Sequence, residues 1–127
     1  MEPIAIVTVV ALIQFLLFAY KVSLARLKHG VAAPATAGHP EFERMFRIHQ
    51  NTLEQLVLFI PALWMFGLYA HPLTGAAIGL LFPVGREVYR RSYLTDPSTR
   101  AAGSVIGGTA IVILLTGAAV GALLSWF

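Results

Sequence analysis

The chain has no cysteine. That absence excludes disulfides, cysteine-ligated zinc and a cysteine nucleophile, so any thiol chemistry must use a thiol brought by a substrate. Charge is scarce as well: Asp, Glu, Lys and Arg are 12% of 127 residues, about half of what a soluble domain carries. The four histidines, His29, His39, His49 and His71, show no HxxxH or HxxE spacing, so no metal site is expected. Three long stretches carry no charge of either sign: Pro3–Tyr20, Gln55–Gly85 and Ala101–Phe127. With 57% hydrophobic residues, the composition excludes an ordinary soluble domain. It leaves a polytopic membrane protein with room for about four spans and no separate soluble domain.

What charge there is falls in two places. Five of the nine Lys and Arg lie between Lys21 and Arg47, and four between Arg86 and Arg100. The positive-inside bias therefore puts both basic windows in the cytoplasm and both termini outside, in the periplasm of a bacterial cell. The net charge of +3 is a topology signal. No RNA- or DNA-binding motif accompanies it, and no nucleic-acid partner is expected.

The expected architecture is all-α: an integral membrane four-helix bundle forming one domain over residues 1–127. The helices are placed at about 3–28, 41–70, 73–93 and 100–126. Only Glu2 precedes the first span, without the basic segment of a signal peptide, so that span is read as retained. Gly30–Pro40 is a connector rich in Ala, Pro, Gly and Thr. His71-Pro72 marks a tight outside turn, and Pro61 is expected to kink the second helix. Gly75-xxx-Gly79, Gly103-xxx-Gly107 and Gly117-xxx-Gly121 let helix backbones approach closely in lipid.

The second and third helices carry the functional signal. Their apolar parts, Gln55–Ala70 and Leu73–Gly85, each fall short of the roughly 20 residues a crossing needs. Both must therefore take polar residues into the crossing. Arg44, Arg47, Asn51 and Glu54 follow at spacings of 3, 4 and 3, which places them on one helical face. Arg86, Tyr89 and Tyr93 do the same at 3 and 4. At 1.5 Å per residue from the turn, Glu54 and Asn51 stand about 25 and 30 Å up, and Arg86 and Tyr93 about 20 and 30 Å. The two stripes meet at one level, near the cytoplasmic interface. Arg26 and Arg100 reach it from the first and fourth spans. Arg44 lies above the membrane and is the member of its stripe read as structural.

Polar groups so placed are costly and are functional candidates by default. Several guanidiniums suit a ligand with more than one carboxylate. Glu54 suits an ammonium, and Asn51, Tyr89 and Tyr93 suit peptide groups. A small zwitterionic peptide with excess negative charge fits. An arginine beside a bound thiol would favour the thiolate. The bland readings are a Glu43–Arg47 surface pair, interfacial anchoring by Lys28, Arg90 and Arg91, and a structural ion pair at Glu54.

The string Pro40-Glu41-Phe42-Glu43-Arg44-x-Phe46-Arg47-x-His49-Gln50-Asn51-Thr52-x-Glu54 resembles the signature of the MAPEG family. These are the membrane-associated proteins in eicosanoid and glutathione metabolism. Leu63-Trp64-Met65, Gly85-Arg86-x-x-Tyr89-x-x-x-Tyr93 and Arg100 extend the resemblance, which is strongest to the microsomal glutathione transferase 2 and 3 branches. It implies a homotrimer binding glutathione as co-substrate between subunits, near the cytoplasmic side. Arg26, Arg47, Asn51, Glu54, Arg86, Tyr89 and Tyr93 would bind glutathione, with His49, Gln55 and Arg90 as weaker members. Arg100 would be the catalytic group that stabilises the thiolate. The second substrate would be an apolar electrophile or lipid hydroperoxide arriving from membrane lipid.

Two positions depart from the family pattern. Leu27 stands where the leukotriene C4 synthase branch has an arginine assigned to acid catalysis, which argues against leukotriene synthesis. Gln55 replaces a tyrosine often found after the glutamate. The short chain, without a retention tail, is read as bacterial and placed in an inner membrane. Two other functions stand beside glutathione transfer: a non-enzymatic lipid-binding or lipid-presenting protein, like the 5-lipoxygenase-activating protein, and a small proton-coupled exporter. The exporter class needs a carboxylate embedded in the membrane, usually in the first span, and that span here has none.

Overall fold

The computed structural model describes residues 1–127 as helices joined by short connections. Helix α1 runs Glu2–His29. Pro3 suits its first turn, where no N–H bond is required. It ends at Gly30, whose φ of 66° is the left-handed conformation a glycine adopts without strain. Helix α2 runs Pro40–Tyr69. His39 caps it, its Nδ1 accepting from the Glu41 N–H at 3.2 Å, and Glu41 and Glu43 complement the dipole in its first turn. The helix continues through Pro61 without interruption.

The third expected span is where sequence expectation and structure differ. One helix over about 73–93 is expected. Two are found, α3 (Pro72–Gly79) and α4 (Leu81–Thr95), meeting at Leu80. Pro83 supplies the reason. It has no N–H for the Gly79 carbonyl, and its ring crowds that carbonyl. The next bond along, from Val84 N to Leu80 O, is stretched to 3.4 Å. The irregular backbone gains an outside partner, because Gln14 Nε2 of α1 donates to Pro83 O at 2.7 Å. A 3₁₀ turn, Pro97–Thr99, then leads into α5, Ala101–Trp126.

Helices α1, α2 and α5 are each long and apolar enough to cross a membrane. Their exteriors are apolar too, with Leu16, Leu27, Val57, Leu68, Val105 and Leu124 all exposed. A soluble surface would not carry so many unpartnered aliphatic groups.

Two apolar clusters form the interior. One gathers Ile4, Val7, Ala11, Leu56, Phe59, Phe82 and Leu114, with others. The second holds Phe18, Val22, Val31, Phe42, Met45, Ile48 and Tyr89. Each of the three helices that contributes to both clusters places a polar residue between them. On α1, Gln14 falls between Ala11 and Phe18. On α2, Asn51 and Thr52 fall between Ile48 and Leu56. On α4, Arg86 falls between Phe82 and Tyr89. The bundle thus contains a polar layer sandwiched between two hydrophobic ones.

Helices α4 and α5 set the position of that layer's arginine. A Cβ on Gly103 would stand 2.4 Å from Tyr89 N and 2.7 Å from Gly85 O. Both are backbone atoms that no side-chain rotation can clear. Gly103→Ala should therefore part α4 from α5 and cost about 1–3 kcal/mol, the range for overpacking. A lowered unfolding midpoint in detergent would register this. The neighbouring change Gly108→Ala meets nothing within 4 Å and should be silent.

Candidate functional site

Arg86 is the centre of the polar layer. Only 2% of it is exposed, yet no carboxylate pairs with it. Its Nη2 donates to Asn51 Oδ1 at 2.8 Å, and its Cζ lies 4.2 Å from the centre of the Tyr89 ring. Its Nε–H is buried with no partner at all. An amide oxygen and a ring face are weak company for a buried guanidinium. The site therefore holds an uncompensated positive charge and an unused donor.

From Arg86 the network runs outward along α2. Asn51 Nδ2 donates to Glu54 Oε2 at 3.4 Å. Arg47 Nη1 lies 3.9 Å from Glu54 Oε1, both side chains more than half exposed. That pair replaces the Glu43–Arg47 pair the sequence spacing allows. At this separation and exposure it contributes little to stability, which leaves both groups available to a ligand. Tyr93 stacks on Tyr89 at 5.5 Å, continuing the surface along α4. Arg86, Asn51, Glu54, Arg47, Tyr89 and Tyr93 thus form one contiguous constellation across α2 and α4.

The other residues singled out by sequence make no hydrogen bond or ion pair with it within one chain. Arg26, on α1, donates to Ala35 O at 2.6 Å and covers the Phe42 ring. It borders a groove lined by Ser23, Leu27, Gly30 and Val31. Arg100 is exposed at the start of α5, with Nη1 donating to Pro97 O at 3.0 Å. The turn beneath it is pinned by Asp96, whose Oδ1 accepts from the Ser98 N–H at 3.1 Å and its hydroxyl at 2.8 Å. Those two bonds hold the Asp96 carboxyl below its usual range, the backbone one most. The stability it contributes is present at neutral pH and is lost as pH falls through the lowered value.

His49 stacks on Phe15 at 4.5 Å, with Nε2 buried and unpartnered. Gln55 is half-buried on α2. Arg90 binds Glu87 through two nitrogens and is joined there by Arg91. It lines the crevice with Lys21, Lys28 and Leu94 rather than the Arg86 constellation. Arg44 donates to Leu94 O at 3.1 Å, a structural tie between α2 and the end of α4. Sequence reasoning passed over Gln14. As an amide inside an uncharged span it did carry a signal, since such a group needs a partner at that depth.

Fold and site together define an all-helical membrane protein with a cationic polar layer inside its bundle. The MAPEG family model matches residues 4–121, and the chain belongs to that family. Among its relatives is an uncharacterized protein of Synechocystis sp., 39% identical over 114 residues, covering 90% of this chain and 83% of the relative. Microsomal glutathione S-transferase 2 of Mus musculus is 41% identical over 100 residues, covering 79% of this chain and 68% of the relative. Leukotriene C4 synthase of Cavia porcellus is 35% identical over 125 residues, covering 96% and 83%. The relatives thus include glutathione transferases and a leukotriene-forming synthase.

Proposed function

We propose that this protein is a membrane glutathione transferase, joining glutathione to apolar electrophiles that enter from the bilayer. The observation carrying the reading is the buried guanidinium of Arg86, which has no carboxylate of its own chain to face. A ligand carboxylate would supply the missing charge, and the free Nε–H would supply a bond to it. Glutathione has two carboxylates, one ammonium and two peptide groups. Arg47 and Arg86 would take the carboxylates, Glu54 the ammonium, and Asn51, Tyr89 and Tyr93 the peptide atoms, with His49 and Gln55 at the margin.

Arg26 points away from this constellation in its own chain. In a homotrimer, the arrangement implied by the family, it would reach the glutathione held by a neighbour. Arg90, occupied by Glu87, would stay outside. The basic ends would face the cytoplasm of a bacterial inner membrane, with both termini in the periplasm.

The chemistry begins when the thiol gives up its proton. Arg100, at the positive end of the α5 dipole, would hold the sulfur as thiolate. Attack on an electrophilic carbon forms the C–S bond and expels the leaving group or opens the ring. With a lipid hydroperoxide, an S–O bond forms and the O–O bond breaks, releasing the alcohol. A second glutathione then converts the sulfenic acid to a disulfide and water.

The reading is tested by calorimetric titration with glutathione and with its glycine-amide analogue, which lacks one carboxylate. Tighter binding of glutathione, by tenfold or more (about 1.4 kcal/mol), is expected. Equal binding of the two would contradict it. Glu54→Gln should weaken glutathione binding by about ten-fold through loss of the ammonium contact. The same change should leave binding of an N-acetylated glutathione nearly as it was.

The alternative is a lipid-presenting protein without chemistry. It predicts that glutathione added to the protein gives no thiolate absorbance at neutral pH.

A further inference from the structure

Outside the glutathione constellation, the cytoplasmic ends of α1 and α2 bring together three side chains that no sequence spacing connects. His29 ends α1, His39 caps α2 and Glu41 lies in the first turn of α2. Their ligand atoms lie within 4.8 Å of one another. His29 Nε2 is 3.0 Å from Glu41 Oε2, and the two imidazoles stack at 3.6 Å, inclined by 9°. Lys28 Nζ engages the other carboxylate oxygen, Oε1, at 3.4 Å. The His29 side chain is only 12% exposed, so its ring is held in place rather than free in solvent.

We infer that His29, His39 and Glu41 form a binding site for a borderline divalent ion such as Zn2+ or Co2+. Two imidazole nitrogens and a carboxylate oxygen are the donor set such ions favour, with water in the fourth position. In a tetrahedral site with bonds near 2.0–2.1 Å, neighbouring donors stand about 3.3 Å apart. The His29–Glu41 pair already meets this. The remaining donor has to close by about 1.5 Å at most.

Two local interactions must yield. Imidazole lone pairs lie in the ring plane, so parallel rings cannot share one ion. One ring must turn about its Cβ–Cγ bond, a torsion with a broad minimum. His39 Nδ1 now accepts from the Glu41 N–H at 3.2 Å. Binding through Nδ1 uses that lone pair, and binding through Nε2 makes Nδ1 a donor. The long capping bond is lost either way.

Metal binding would have a consequence for the neighbouring groove. It would tie the end of α1 to the start of α2 and so fix the connector from Gly30 to Gly38. That connector carries Ala35, whose carbonyl holds Arg26. The ion would therefore limit where Arg26 can reach.

The test uses tag-free, full-length protein in detergent, titrated with Co2+. One Co2+ per chain is expected, with the intense visible bands of four-coordinate N/O ligation, and displaced by Zn2+. His39→Ser keeps a capping oxygen but removes a ligand. Glu41→Gln removes another with little change in shape. Each should weaken Co2+ binding by more than the 10- to 100-fold that outer-shell changes cost, with helical circular dichroism unchanged. Loss of the ion should also speed tryptic cleavage after Lys28, in the last turn of α1. Absence of the visible bands, or affinity unchanged in both variants, would overturn the site. Unaltered binding in the variants would mean that the ion sits elsewhere.

Discussion

Glutathione added to the wild-type protein is expected to give an ultraviolet thiolate band at neutral pH, and Arg100→Ala is expected to abolish it. Turnover should fall by about a hundred- to a thousand-fold, the usual cost of removing one charge-stabilising donor. A free thiol has a pKa near 8.5, so at neutral pH most of it is protonated and unreactive. A guanidinium beside the sulfur favours the anion, and so does the N-terminus of a helix. Arg100 has an exposed side chain and a backbone that opens α5, so a sulfur bound there would feel both. The Asp96–Ser98 turn fixes the approach to it. Because Arg100 is outside the buried core, alanine there should barely change the unfolding midpoint. Glutathione should still bind, since the residues proposed to take its carboxylates and ammonium lie on α2 and α4. An unchanged thiolate band in Arg100→Ala would remove this residue from the mechanism.

The second large effect is expected at Arg86, where stability and binding should separate. Arg86→Met removes a buried cation that has no carboxylate partner, replacing it with an apolar chain of similar length. Exchanging buried ionic groups for well-packed apolar ones is often neutral or stabilising. The unfolding midpoint should therefore hold or rise. Glutathione binding should fall by about 2–5 kcal/mol, or some thirty-fold and upward, as when one member of a buried charged contact is cut away. If Arg86 served only to hold α4 against Asn51, the reverse would follow, with stability lost and affinity little changed.

The two stripes were legible in the sequence because a membrane makes misplaced charge expensive. Counting residues from His71-Pro72 puts the two stripes at one level but leaves Asn51 and Arg86 about 10 Å apart in height; the packed bundle joins them directly at 2.8 Å. The spacing of Tyr89 and Tyr93 puts them on one face of α4, and there the two rings stack. The break at Leu80 was missed because apolar length dominates the pattern there, while the disruption comes from Pro83 acting one turn back. The Glu43–Arg47 pair failed for a different reason. Helical spacing permits a pair, but exposed partners are held so weakly that Arg47 turns toward Glu54 instead. Gln14 and the His29–His39–Glu41 cluster depend on how helix ends and faces meet in space, which no local period encodes. The depth of Arg26 along the first span can be counted from the sequence, yet its direction relative to Arg86 is a property of the packed bundle.

The most direct test of the account is calorimetric titration of glutathione into wild-type and Arg86→Met protein, with the unfolding midpoint of each measured in the same detergent. The account predicts a loss of affinity of thirty-fold or more with a midpoint that is unchanged or higher. Glutathione binding of equal strength in the two proteins would contradict the claim that this unpartnered guanidinium is what receives the ligand.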